Sequence, residues 1–234
     1  MLDTKAFLKF RQKVDFKKLT ANYQLVMFGD DHNMNKGREW LAREIKSDKS
    51  RIDFLGLEYI ETSKQNLIAE NRENKIVPYL KKTYKDFPGF DPYSVSKLVD
   101  LSRETKIKVE GIETPDATFI NWEDIEAQEA RIKYLAEKII ELSGNENQKG
   151  IVLLGADHVE KRNDNVYGLV QRQIKNLVSV VFVGGKDWTI DTEEYWIRKI
   201  EIGVINMGWE NDFFALEVKN NEYPCDWIIH FPTG

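Results

Sequence analysis

Cysteine is nearly missing from this chain: Cys225 is the one thiol in 234 residues. A single thiol cannot close an intramolecular disulfide or build a thiolate zinc site, so Cys225 reads as a small buried hydrophobe. No stretch approaches the roughly 18 apolar residues of a membrane span, and Met1 to Phe10 lacks the apolar run of a secretory signal. No block of one charge sign occurs either. The 34 basic and 39 acidic residues are interspersed to a net charge of −5, which leaves no electrostatic footprint for nucleic acid and no patch for an anionic membrane. Walker A and dinucleotide glycine fingerprints are absent, and so is the Gly-x-Ser-x-Gly nucleophile elbow. The expected setting is reducing and cytoplasmic, and the expected partner is a small molecule or peptide. The sequence leaves the oligomeric state open.

What is present describes an ordinary globular protein, 41% hydrophobic and 31% charged. The length suits a single α/β domain over residues 1–234. Short apolar runs alternate with longer amphipathic stretches. Strands are predicted at Gln24 to Phe28, Ile52 to Leu57, Ile107 to Ile112, Ile151 to Leu154 and Val178 to Val183, with late candidates at Phe213 to Val218 and Asp226 to Phe231. Helices are predicted at Lys36 to Lys46, Gln65 to Tyr84 with Pro78 kinking or splitting it, Pro92 to Thr105, Trp122 to Leu142 and Asp164 to Asn176. Gly144 suits a C-cap at the end of the fourth of these. Continuous apolar strands need cover on both faces. The expectation is therefore three layers: a mostly parallel central sheet between helices, with the last two strands as candidates for an antiparallel C-terminal edge.

Two of the three histidines share one local context. His32 follows a strand and Gly29-Asp30-Asp31, and His158 follows a strand and Gly155-Ala156-Asp157. In each, glycine permits a sharp turn and a close backbone approach. Two further strands close on carboxylates, Glu58 and Glu113. In a parallel sheet all four ionisable side chains then reach the carboxyl edge, where open α/β sheets bind their ligands. Each also has a structural reading: His32 and His158 as helix-start residues, Asp30, Asp31 and Asp157 as caps, Glu58 as a partner of a nearby arginine, Glu113 as a turn former. Arg131, on the long helix, is either an exposed charge or the cation that neutralises this cluster. His230, inside the last strand, reads as structural. The loop Gly184-Gly185-Lys186-Asp187-Trp188 follows the strongest strand and could line the same mouth.

This ordered set resembles the erythromycin-esterase/ChaN-like proteins, and the G-x-x-H proteins of the TraB, PrgY and Tiki group. The motifs stand here as GDDH (29 to 32), GLEYIE (56 to 61), GIET (111 to 114), EARIKYLAEKI (129 to 139) and LGADH (154 to 158). The resemblance implies an α/β fold with one polar site, in a group that includes lactone-opening esterases, metal-dependent peptidases, haem-binding lipoproteins and toxin domains. Many relatives carry Glu where this chain has Asp30.

The resulting expectation is a hydrolase of an ester or amide bond. In a metal form, His32, His158 and a carboxylate, Glu58 with Asp30 as a further candidate, surround a divalent Zn, Mn, Fe or Co ion that activates water. Glu113 or Asp31 serves as general base, and Arg131 stabilises the oxyanion. In a metal-free form one histidine activates water directly, its tautomer fixed by a neighbouring carboxylate. The alternative is a non-catalytic domain that binds haem or another ligand through His32 or His158, or a partner protein.

Overall fold

The computed structural model describes residues 11–31, 35–47, 52–69, 75–87, 89–115, 124–144, 146–184, 196, 200, 204–218 and 223–232. Along the chain come β1 (Arg11–Gln12), α1 (Phe16–Ala21), β2 (Leu25–Asp30), α2 (Asn35–Ser47) and β3 (Phe54–Glu61). After a 3-10 turn (Thr62–Lys64) follow α3 (Gln65–Ala69), α4 (Ile76–Thr83), α5 (Pro92–Glu104), β4 (Lys108–Glu113) and α6 (Ile125–Ser143). The rest is β5 (Gly150–Gly155), α7 (Ala156–Val159), α8 (Val166–Gln171), β6 (Leu177–Gly184), β7 (Phe214–Glu217) and β8 (Trp227–Phe231).

The strands form one sheet in the order β1-β7-β8-β6-β2-β5-β3-β4. From β8 to β4 all neighbours are parallel. β7 runs against β8, and β1 pairs antiparallel with β7. The antiparallel edge thus consists of the pairings of β7. β8 itself joins the parallel sheet, and β1 adds an outer strand that two residues of sequence do not announce.

Side-chain alternation divides the core into two apolar layers. Val26 and Phe28 of β2 and Leu55 and Leu57 of β3 pack with Trp40, Leu41 and Ile45 of α2 and with Val95 and Leu98 of α5. Leu25 and Met27, with Val152 and Leu154 of β5, pack against Leu135 and Ile139 of α6 and Val166 and Val170 of α8. Among the described residues no helix is long and apolar enough to cross a membrane.

Three local differences from the sequence pattern have clear causes. Pro78 is the third residue of α4, where its nitrogen owes no intrahelical bond, so it lies in the opening turn of that helix instead of kinking one. The helix expected from Asp164 to Asn176 is the shorter α8, whose start is set by the Asn165 side chain accepting from the Gly168 N–H. In α6 the buried stripe is Arg131, Leu135, Ala136 and Ile139, while Ile125 is 71% exposed. Gly144 ends that helix at φ 51°, with its N–H bonded to the Glu141 carbonyl.

Candidate active site

The expectation that β3 stops at Glu58 requires correction, since the strand continues through buried Tyr59 and Ile60 to Glu61. Its pairing changes there. The ladder with β5 ends at Leu57–Leu153, and the ladder with β4 passes from Leu57–Gly111 to Glu61–Glu113, so four steps of β3 span two of β4. This is a β-bulge, the kind of irregularity that re-aims side chains beside functional sites. Gly111 makes room for it: a Cβ there would lie 2.5 Å from the Ile60 carbonyl oxygen. The Gln65 amide pairs with β4 beside the bulge, donating to the Val109 carbonyl and accepting from the Gly111 N–H, both at 2.9 Å.

Glu58 leaves the bulge on the face of α6 and α7. Its Oε2 accepts from the Gly155 N–H at 2.7 Å, and its Oε1 accepts from Arg131 Nη2. Arg131 Nε lies 3.1 Å from both oxygens of Glu113, and Nη2 is 2.5 Å from Glu113 Oε2. Arg131 Nη1 lies 2.9 Å from His158 Nε2. One guanidinium therefore joins side chains from β3, β4 and α7. Arg131, Glu58 and Glu113 are all under 10% exposed, whereas the His158 side chain is 15% exposed.

The electrostatics follow from this geometry. Burial acts to raise the Glu58 pKa. The charge and hydrogen bond of a protonated His158, the Arg131 guanidinium and the Gly155 N–H act together against burial and hold Glu58 well below the usual carboxylate range. Burial, opposed by Arg131 and reinforced by the Glu58 charge, moves Glu113 up. A guanidinium has donors and no acceptor, so its bond to Nε2 requires a lone pair on that nitrogen. Where Nη1 donates to Nε2 the ring carries its proton on Nδ1, and the same Nε2 lies 3.4 Å from Glu58 Oε1.

The two glycines of the G-x-x-H turns differ in purpose. β2 and β5 are neighbours, with Asp30 opposite Gly155. A Cβ on Gly29 would meet Val159 Cγ2 at 2.3 Å and Ala156 Cα at 2.9 Å, so the missing side chain is the seat of α7, which carries His158. A Cβ on Gly155 would make ordinary contacts, 3.7 Å to His158 Cδ2 and 3.9 Å to Glu58 Oε2. Gly29→Ala is expected to cost about 1–3 kcal/mol through overpacking, and Gly155→Ala no more than about 0.5 kcal/mol. Urea unfolding of the two variants checks the contrast; equal losses would remove the seat from the account.

Asp30 belongs to a different constellation. It faces the α2 and α5 layer, where Oδ2 accepts from Arg38 Nη1 at 2.9 Å and Oδ1 accepts from the Tyr59 hydroxyl. Arg38 also donates from Nε to Ser94 Oγ at 2.8 Å and from Nη2 to Asn35 Oδ1. Both charged side chains are fully buried. Burial pushes the Asp30 carboxyl up to about 7, against the pull of Arg38 and Tyr59. Sequence reasoning missed Arg38 and Tyr59. The available signal was Arg38 on the apolar stripe of α2, spaced three, four and seven residues before Leu41, Ala42 and Ile45.

The other residues singled out by sequence fall as follows. The Asp31 carbonyl accepts a long 3.5 Å bond from Arg38. Asp157 is exposed. His230 is buried; its Nδ1 donates to the Asp212 carbonyl at 2.8 Å and its ring stacks on Phe214. His32, Trp122 and the loop from Gly185 to Trp188 lie outside the described residues.

A divalent cation fits this arrangement poorly. Arg131 stands between Glu58, Glu113 and His158, where a metal would have to sit, and its charge takes up the lone pairs that would ligate one. Asp30 is held by Arg38 on the opposite face. Among the described residues no group of three or more His, Cys, Asp and Glu side chains could hold a metal ion. Nor can Nε2 of His158 meet a haem iron while it accepts from Arg131. A surface cleft of about 810 Å³ is lined by residues 12–18, Trp40, Glu44, Ser47 and Phe213 and holds none of the cluster.

No known family model and no curated protein sequence matches this chain significantly. Solved structures do match it. An erythromycin esterase variant, EreC in its open conformation, is 10% identical over 100% of this chain and 95% of its own, with a TM-score of 0.62. The type III effector HopBA1 is 14% identical over 90% and 88%, with a TM-score of 0.58. The C-terminal region of Pasteurella multocida toxin, described as carrying a thiol-protease-like catalytic triad, is 15% identical with a TM-score of 0.56; the match covers 77% of this chain and 26% of that one. At such identities the likeness is one of fold, and that fold is erythromycin-esterase-like.

Proposed function

We propose that this protein hydrolyses an ester or amide bond by direct attack of water, with no covalent intermediate and no metal ion. The observation that carries the reading is the Arg131 bond to His158 Nε2, which leaves the Nδ1–H of a partly exposed imidazole as the ring's donor at the carboxyl edge of the sheet. That N–H stabilises the oxyanion that forms as water attacks the carbonyl carbon. His32, from the first G-x-x-H turn, takes the proton of the water and returns it to the leaving oxygen or nitrogen as the carbonyl–heteroatom bond breaks. Glu58 and Glu113 hold Arg131, and Arg131 holds the tautomer. The fold of an erythromycin esterase supports the reaction class. A thiol route has little support, because burial pushes the Cys225 thiol up, away from a reactive thiolate.

The test is a panel of activated esters, lactones and peptides, assayed with and without a chelator. Hydrolysis is expected to survive chelation. His158→Gln is expected to lower kcat about 100-fold with little change in KM, as the loss of one oxyanion donor does. In nitrogen-15 spectra His158 is expected as the Nδ1–H tautomer at neutral pH. Loss of all hydrolysis on chelation, or an Nε2–H tautomer, would sink this mechanism.

A further inference from the structure

We infer that Tyr59 is a positioning residue for Glu58: its hydroxyl, held by Asp30 and Arg38, fixes the segment of β3 that carries the carboxylate. The inference rests on Glu58 belonging to the cluster proposed above as the reacting site.

Regular ladder pairing is interrupted along this segment. Past Leu57 the ladder with β5 has ended, and the ladder with β4 resumes only at Glu61. A bulge disrupts regular pairing, so the bonds its side chains make help to fix its path. Glu58 and Tyr59 are consecutive and point to opposite faces. On one face Glu58 Oε2 takes the Gly155 N–H, at the end of β5. On the other, the Tyr59 hydroxyl donates to Asp30 Oδ1 and accepts from Arg38 Nη1 at 2.9 Å.

In the sheet order β2-β5-β3, Asp30 and Tyr59 sit on strands that do not pair with each other. Their bond therefore crosses the end of β5, while Glu58 grips that same end from the other face. The segment is held from both sides around Gly155.

The clamp is rigid for physical reasons. Tyr59 is 2% exposed and its ring packs against Tyr84 and Phe90, with centroids 5.6 and 5.8 Å away. Arg38 ties Asp30 onward to Asn35 at the start of α2 and to Ser94 of α5. Asn35 Oδ1 in turn accepts the Asp91 N–H at 3.0 Å, and Ser94 Oγ donates to the Asp91 carbonyl at 2.6 Å. Such a network of buried polar groups, each bonded in fixed geometry, favours one arrangement over its neighbours.

Tyr59→Phe removes one oxygen and keeps the ring. The readout is the cluster itself, not turnover: the Arg131 guanidinium N–H signals and the His158 imidazole nitrogens in nitrogen-15 spectra. Because it is independent of any substrate, it distinguishes failure of the clamp from failure of the proposed reaction. Phe182→Leu serves as control, since Phe182 is buried in the same apolar layer on β6, and the two variants are compared at matched unfolding free energy. Tyr59→Phe is expected to speed solvent exchange of the Arg131 N–H groups about tenfold and to shift the His158 Nε2 resonance, the scale set by one buried hydrogen bond; the control is expected to move neither. If both variants leave these signals in place, or both move them equally, Tyr59 is a core residue and not a positioning one.

Discussion

Replacing Arg131 with methionine is expected to lower the unfolding free energy by about 3–5 kcal/mol at pH 7, the range for removing one partner from a buried ion pair. The size follows from what remains. Glu58 and Glu113 are both nearly inaccessible to water, and Arg131 bridges them. Methionine matches much of the arginine volume, so the loss reports charge more than packing. The pH dependence separates the two. In the wild type Glu58 has a depressed pKa; it contributes stability that is present above the ordinary value of 4.5 and is lost as pH falls through the folded-state value. In the variant, burial no longer meets a guanidinium: Glu58 rises above its unfolded value, and Glu113, already raised in the wild type, rises further. Their contribution is then greatest below about 4.5 and declines as pH rises through the raised values. The gap between wild type and variant should therefore shrink as pH falls from 7 towards 5. Urea unfolding at the two pH values measures it. A loss that is the same at both would mean that Arg131 acts through packing, and the charge account of the cluster would fail.

How far the sequence leads to this cluster depends on the kind of information each residue carries. The parallel sheet was legible because β2, β5 and β6 are short apolar runs between amphipathic stretches, and both of their faces are buried. Glu58, Glu113 and His158 could be assigned to one edge because each stands at or just past the end of an apolar run, and parallel strands end on one side. Arg131 could be paired with them only by charge. Its place on the stripe with Leu135 and Ile139 brings it inward, and folding decides which acid it meets. The Asp30 network was not legible. It joins β2, β3, α2 and α5, elements brought together by a strand order in which β5 intervenes between β2 and β3. The bulge of β3 was hidden for a related reason: the apolar run reads as a strand that closes at Glu58, and the space the bulge needs is supplied by Gly111 on another strand. Sequence periodicity reports faces; it does not report register between strands distant in sequence.

The buried pair of Asp30 and Arg38 yields an asymmetric prediction. A carboxyl can leave its charged state, and a guanidinium cannot. Burial already pushes Asp30 up to about 7, so in Arg38→Met the aspartate can take a proton and keep its bond with Tyr59. In Asp30→Ala the cation stays, fully buried, facing neutral acceptors such as Ser94 Oγ and the Asn35 amide oxygen. Asp30→Ala is therefore expected to cost about 5 kcal/mol and Arg38→Met about 3 kcal/mol at pH 7, the upper and lower ends of the range for breaking a buried pair. The signs with pH differ as well. A folded-state pKa raised above 3.8 gives Asp30 a contribution that is full below 3.8 and lost as pH rises through about 7. Removing Arg38 raises that pKa further, so Arg38→Met should recover stability between pH 7 and 5, whereas Asp30→Ala has no carboxyl left to titrate and should not. The double variant should be more stable than Asp30→Ala alone, because it no longer buries a cation without its acid. Urea unfolding of the three variants at both pH values decides the matter. If Arg38→Met proved the worse of the two and the double variant worse than either, the side chains would act by filling space, and the ionic account of this network would be wrong.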